Sequence, residues 1–200
     1  MNYSDNDLKM SAHTNKLFYS FGTPNHPFIL ETPLEQIIAA DPAWQAGIEW
    51  GYPRPGHPEG KVKYHIQEVL VNIDRFCANS PDRLRLRLIA LLHDTFKYQA
   101  KSKGANSSHG YWARQFAEQY LADEGMLIVL ELHDEAYKSW QLLARPAGHA
   151  EAEPGAAVLI DRLGRHLDLF MQFYLCDSHT GDKSTAHYVW FKKMIDKKEV

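Results

Sequence analysis

His65, the adjacent pair His93-Asp94, His109, His133 and Asp177 are the residues of this chain whose types and spacing suit shared chemistry. Each is a good ligand for a divalent metal. Imidazole and carboxylate together suit Zn, Mn, Fe or Ni, and carboxylate alone also suits Mg. A metal in such a setting can generate hydroxide from water near neutral pH. The centre is His93-Asp94, which ends the run Leu88-Ile89-Ala90-Leu91-Leu92. A core-forming run that ends in His-Asp puts polar groups where they are expensive. Burying a charge is costly unless it is paired or bound to metal.

These residues lie tens of positions apart, each in a separate apolar-patterned segment. That spacing matches one ligand per helix of a bundle, a known way to build a metal site in a core. Taken singly, His65, His109 and His133 read as core or surface histidines more readily than as ligands. Their company with His93-Asp94 gives them weight. His57 competes with His65, but it lies in a Pro/Gly loop that suits a precise ligand poorly. Asp161 and Asp168 compete with Asp177, which ends the apolar run Leu169 to Cys176.

The elements that must position these groups read as helices. Thr32-Pro33 looks like an N-cap with Pro at N1, opening a short helix to about Ala40. A second short helix covers Pro42 to Ile48. Residues 1–31 show no periodicity and read as an N-terminal arm packed across the domain of residues 32–200. Gly51 to Gly60 holds three prolines and three glycines, so it must be a loop. From Lys61, the residues Val62, Ile66, Val69, Leu70, Ile73, Phe76 and Cys77 mark one face of an amphipathic helix carrying His65.

Ser80-Pro81-Asp82 reads as a helix start. The alternating Arg83 to Leu88 then favours helix over strand, running to about Lys97. Lys101 to Ser108 is a polar loop. A helix capped by Ser107 or Ser108 carries His109 in its first turn, with Trp112, Phe116 and Tyr120. Gly125 breaks the chain. Met126 to Leu143 reads as one helix with His133 midway. Arg145 to Gly155 reads as a loop, Ala156 to Cys176 as a helix bent near Gly164, and Thr185 to Lys193 as the last helix. The expected class is all-α, a single-domain helical bundle.

The chain is 200 residues, 44% hydrophobic and 24% charged, with net charge −3 and eleven histidines. That is long enough to bury roughly 70% of the unfolded chain's surface. The charge balance offers no broad basic face for nucleic acid. The two cysteines, Cys77 and Cys176, make no metal-ribbon spacing and suit a reducing compartment. No signal peptide and no apolar run of membrane-spanning length are evident. A soluble cytoplasmic protein is expected. Phosphate-loop, dinucleotide, His-Glu-x-x-His and Gly-x-Ser-x-Gly signatures are missing.

The order H…HD…H…H…D resembles the HD-domain superfamily of metal-dependent phosphohydrolases. Leu91-Leu92-His93-Asp94-Thr95-Phe96-Lys97 is similar to that family's apolar-HD-x-x-K signature. Gly56-His57-Pro58-Glu59-Gly60, followed by Lys61 to His65, resembles the approach to the first histidine in HD domains attached to tRNA-processing nucleotidyltransferases. The resemblance covers about residues 51–182 and leaves residues 1–31 without a counterpart. It implies an HD-type fold in which His65, His93, Asp94 and Asp177 bind one metal. His109 and His133 match the extra histidines of two-metal members, with Asp94 bridging. Phe96 departs from the small residue common at its position. Asp134 stands where two-metal members often carry a second histidine, so the first metal is implied more directly than the second.

The expected cofactor is therefore one or two divalent ions per chain: Mn, Fe, Ni, Co, Zn or Mg. The expected activity is hydrolysis of a small phosphorylated substrate, such as a nucleotide, with Asp94 and Lys97 catalytic. Lys97 lies one turn after His93 and suits a phosphate contact or a plain helix-end lysine. Lys101, Lys103, Arg145, Arg162 and Arg165 are further candidates for an anion. Arg83, Arg85 and Arg87 read as a solvated face. Glu68 reads as a surface carboxylate or a group behind the ligands, and Tyr52 and Arg54 as lining for an entrance. Two other readings share the pattern: a di-iron HD-fold oxygenase, and a non-catalytic module that keeps its metal for stability.

Overall fold

Thr32 opens the first helix by a reciprocal cap. Its Oγ1 accepts from the Glu35 N–H at 3.1 Å, and Glu35 Oε2 accepts from the Thr32 N–H at 2.9 Å. Two orphan donors of the helix start are thereby satisfied. A computed structural model describes residues 26–103 and 108–198. Its helices are α1 (Pro33–Ala39), α2 (Pro42–Ile48), α3 (Val62–Phe76), α4 (Arg83–Leu92), α5 (Lys97–Lys103), α6 (His109–Ala117), α7 (Glu124–Leu132), α8 (Glu135–Leu142), α9 (His149–Leu163), α10 (Leu167–Ser178) and α11 (Ala186–Lys198). The described residues contain no strand, so the class is all-α. No helix among them is long and apolar enough to cross a membrane.

The core is continuous from Ile38 of α1 to Met194 of α11. In α3, Val62, Ile66, Val69, Leu70 and Ile73 are buried at helical spacing, and His65 shares that face. Burial of such side chains stabilises by about 1.5–3 kcal/mol each. α10 packs across α3, α4 and α7, while α6 lies along α7. α8, α9 and α11 pack together beside them. Of the proposed arm, residues 1–25 lie outside the described residues. The stretch that follows is anchored: Phe28 meets the Trp44 ring edge-on, and the Ile29 carbonyl accepts from Arg87 at 2.8 Å.

Several boundaries differ from the sequence expectation. α4 stops at Leu92, and α5 begins at Lys97, inside what read as helix followed by polar loop. The freed Leu91 carbonyl accepts from Trp44 Nε1 and Thr95 Oγ1, each at 2.8 Å, so buried partners replace the missing turn. Residues 104–107 of the expected loop lie outside the described residues. Gly125 sits inside α7, which Asp123 caps through the Met126 N–H at 3.0 Å. The single helix expected over Met126 to Leu143 is two, α7 and α8, broken at His133-Asp134.

α9 starts at His149, so most of the expected loop Arg145 to Gly155 is helical. Pro154 lies within it; the Ala150 carbonyl that loses a donor belongs to an exposed residue and can meet water. The expected bend at Gly164 is there, with φ of 49° ending α9 and a short 3-10 turn leading into α10. α11 extends to Lys198, beyond the expected end at Lys193.

Arg87 corrects the solvated-arginine reading. Arg83 and Arg85 are partly exposed, but Arg87 is buried, with Nε 2.8 Å from Glu35 Oε1. Its guanidinium also meets Glu31 Oε1 at 2.9 Å. Glu35 of α1 reaches this one arginine of the three, while Glu31 before it pairs with both Arg83 and Arg87.

Candidate metal centre

Helix ends supply four of the converging side chains. The last carbonyls of a helix have no intrahelical donor. Where α4 ends, His93 Nδ1–H donates back to the Ala90 carbonyl at 2.9 Å. Where α7 ends, His133 Nδ1–H donates to the Leu130 carbonyl at 2.8 Å. Each bond turns Nε2 of its ring toward the same interior point. His109 enters from the first turn of α6, and Asp94 from the turn after α4. His65 comes from the buried face of α3, and Asp177 from the last turn of α10.

The result is two histidine pairs around one carboxylate. His65 Nε2 lies 3.1 Å from His93 Nε2, 3.5 Å from Asp94 Oδ2 and 3.0 Å from Asp177 Oδ1. His109 Nε2 lies 2.9 Å from His133 Nε2 and 3.3 Å from Asp94 Oδ1. His133 Nε2 is 3.5 Å from that same Asp94 oxygen. Asp94 thus turns one oxygen to each pair. His65, His93, Asp94 and His133 are buried, and His109 is half-buried. His65, His93 and Asp94 can hold a metal ion, as can Asp94, His109 and His133.

Electrostatics fits a cation site. Burial pushes His93 down to about 3, so its inward Nε2 is an unprotonated acceptor. Burial raises the Asp94 carboxyl, but Lys97 and then His93 outweigh it and hold it well below the ordinary value. For Asp177, burial is outweighed by Lys183 and then His65. Burial lowers His133, and Asp134 and Asp94 more than reverse this. The ring nitrogens and carboxylate oxygens that face one another here are all donor atoms that a single cation can engage together. The donor set of imidazoles and carboxylates fits a divalent transition ion, and binding it would displace protons drawn onto the cluster.

Lys97 points inward, with Nζ 2.5 Å from Asp94 Oδ2. Lys183, which sequence reasoning missed, lies 3.1 Å from Asp177 Oδ1. Its sequence signal was faint: a lysine in the turn six residues after the aspartate. Glu59 was missed too. Its buried carboxylate lies 2.9 Å from His57 Nδ1 and 3.4 Å from His65 Nδ1, so it backs His65 from behind. Burial raises that carboxyl, while hydrogen bonds from His57 and His65 hold it well below its usual range. His57 therefore touches the centre through Glu59 and does not replace His65.

Asp177 is the late aspartate that reaches the cluster. Asp161 pairs with Lys198 and Asp168 is exposed. Glu68 accepts from the Gly181 N–H at 2.7 Å and so holds the turn after Asp177. That turn is also held by the Gly51–Gly60 loop, whose Gly56 N–H donates to Asp182 Oδ1 at 2.8 Å. The other cations proposed for an anion pair elsewhere. Arg162 meets Glu131, Arg165 meets His166, and Lys101 lies over the Trp50 ring. Arg145 is exposed, and the Lys103 side chain lies outside the described set. Tyr52 is exposed, with Arg54 over its ring. Phe96, the departure from the small-residue pattern, is buried and packs on Phe116 at a ring separation of 4.8 Å.

Close approach of α6 to α7 sets the second histidine pair. A Cβ on Gly110 would lie 2.4 Å from the Glu131 carbonyl oxygen and 2.8 Å from that of Leu130. Backbone cannot give as a flexible side chain can. Gly110→Ala will therefore push α6 outward and separate His109 from His133. The expected cost is about 1–3 kcal/mol, as for overpacking, read by urea denaturation of the metal-free protein. A metal titration should show binding weakened where His109 takes part and retained at His65. Unchanged stability and binding would contradict the packing argument.

No protein-family model, curated protein or solved structure matches the chain.

Proposed function

We propose that this chain is an HD-type, metal-dependent phosphohydrolase acting on a nucleotide or another small phosphorylated metabolite. The observation that carries this reading is Asp94, buried between two histidine pairs with one oxygen toward each. The all-helical fold and the His-Asp cluster are compatible with the HD domain that the sequence resembles. In this reading His65, His93, Asp94 and Asp177 hold one divalent ion, and His109 and His133 take part in holding another. When bound, such an ion supplies Lewis acidity toward a phosphoryl oxygen and acidifies water near neutral pH.

The chain's own residues do the rest. The Ala90 and Leu130 carbonyls fix the two helix-end imidazoles, so no reorientation is needed on binding. The Glu59 carboxylate lies 3.4 Å behind His65 Nδ1, close enough to orient that ring by charge. Lys97 keeps its charge: burial lowers its pKa, but Asp94 and Asp134 more than offset this. Its ammonium sits at the edge of the cluster, where it can balance charge growing on phosphoryl oxygens. Water adds to phosphorus as the ester P–O bond breaks.

The test is phosphate release from a panel of nucleotides, sugar phosphates and p-nitrophenyl phosphate by protein loaded anaerobically with Mn, Co, Ni, Zn or Mg. Release with at least one ion is expected. Metal-loaded protein inert to the whole panel would sink the proposal. The paired histidines on a shared carboxylate also suit the di-iron oxygenase reading. Oxygen uptake by the iron-loaded protein, without anaerobic phosphate release, would select it.

A further inference from the structure

Leu92-His93-Asp94 closes α4, and Leu132-His133-Asp134 closes α7: the same tripeptide at the same place in two helices. In both, the histidine Nδ1–H returns to the carbonyl three residues back. In both, the aspartate enters the turn leading to the next helix. Asp94 lies between the two histidine pairs. Asp134 lies against the second pair alone, with Oδ2 3.3 Å from His109 Nε2 and Oδ1 3.8 Å from His133 Nε2.

We propose that Asp134 is a metal ligand: with His109, His133 and the Oδ1 edge of Asp94, it forms a second divalent-ion position whose donors match those of the first. The inference rests on reading the cluster as a metal centre. His65, His93, Asp177 and Asp94 offer two imidazoles and two carboxylates. His109, His133, Asp134 and Asp94 offer the same. A histidine at position 134 would instead give three imidazoles and a softer site. With Asp134 the two positions suit the same ion, and the carboxylate share favours Mn or Fe(II) over thiophilic metals.

The convergence of donor atoms supports this. His109 Nε2 faces three groups at once: His133 Nε2 at 2.9 Å, and Asp94 Oδ1 and Asp134 Oδ2 each at 3.3 Å. Lys97 is engaged on the other oxygen of Asp94, Oδ2. A divalent ion at the centre of these four groups satisfies all of them together. Asp134 is partly exposed, which leaves that ion a route to solvent.

The experiment uses the metal-free full chain and manganese alone. Wild-type protein should take up about two Mn per chain. Its electron paramagnetic resonance spectrum should be exchange-broadened, because the ions share Asp94. Asp134→Asn should take up about one Mn and give the six-line spectrum of an isolated ion. Asp134→His should restore two, because a neutral imidazole can replace the carboxylate as donor. Thermal denaturation of each metal-free variant confirms that it is folded. Wild type saturating at one ion would overturn the inference and leave the proposed activity standing. Asp134→Asn binding two ions with the wild-type spectrum would overturn it as well. Wild type binding no Mn would overturn both this inference and the metal-centre reading beneath it.

Discussion

On the proposed function, Asp94→Ala will leave the centre unable to hold metal and reduce phosphoester hydrolysis by about a thousandfold or more. The charge stabilisation that a metal supplies is worth several kcal/mol, and each 1.4 kcal/mol is about tenfold in rate. The shared position of Asp94 makes the loss general. Its Oδ2 faces His65 and its Oδ1 faces both His109 and His133, so neither pair keeps a complete donor set. Metal added at a hundredfold over its dissociation constant should stabilise wild type by about 2.7 kcal/mol. For a chain of this length that raises the melting temperature by roughly 5–10 °C. Asp94→Ala should show no such rise. The metal-free variant should still fold, because Lys97 is partly exposed and can turn its freed ammonium to water. Elemental analysis, thermal denaturation and the phosphate assay on the same preparations check the claim. Full activity in the variant would end the mechanism.

Glu35→Ala will be the most damaging change outside the centre. Glu35 is fully buried and holds the buried Arg87 through Nε at 2.8 Å. Its other oxygen accepts from the Thr32 and Glu31 N–H groups. Removing one partner of a buried pair costs at most about 3–5 kcal/mol, and Glu31, 2.9 Å from the same guanidinium, keeps the loss below that ceiling. The Thr32 cap survives, since the backbone N–H of residue 35 still donates to Thr32 Oγ1, but the reciprocal bond from the Thr32 N–H is lost. Urea denaturation of metal-free protein should show that loss. Arg87→Met in the Glu35→Ala background should recover part of it, because the guanidinium that has lost its most buried partner is gone. A loss under about 1 kcal/mol in the single variant would mean that the pair is not sealed from water.

Much of the arrangement was legible in the chain because apolar periodicity and helix ends are local signals. The face carrying His65 was written in Val62, Ile66, Val69, Leu70 and Ile73. His93-Asp94 stood out because it ends a run of core residues. Other features depend on contacts that no local pattern carries. Arg83, Arg85 and Arg87 are alike in sequence; Glu31 pairs with both Arg83 and Arg87, and only the buried Glu35 sets Arg87 apart. The break at His133-Asp134 was hidden because apolar spacing continues through it. Its cause is the pull of His133 Nδ1 on the Leu130 carbonyl, together with the pairing with His109. Pro154 and Gly155 gave a false loop signal, since a proline in a helix is tolerated where the freed carbonyl meets water. Glu59 and Lys183 sit in turns without periodicity, so nothing announced their aim.

The turn that follows Asp177 has a consequence for when the centre can exist. It is held by the Gly51–Gly60 loop and by α3, through Gly56 to Asp182 across 126 residues and Glu68 to Gly181 across 113. Asn72 adds a bond to the His179 carbonyl across 107. Closing such long loops costs entropy before any contact rewards it. A chain emerging from the ribosome presents His65, His93 and Asp94 long before Asp177 is made. An ion held in the proposed way would meet its full donor set only after that turn has closed, so it would tighten a fold already formed.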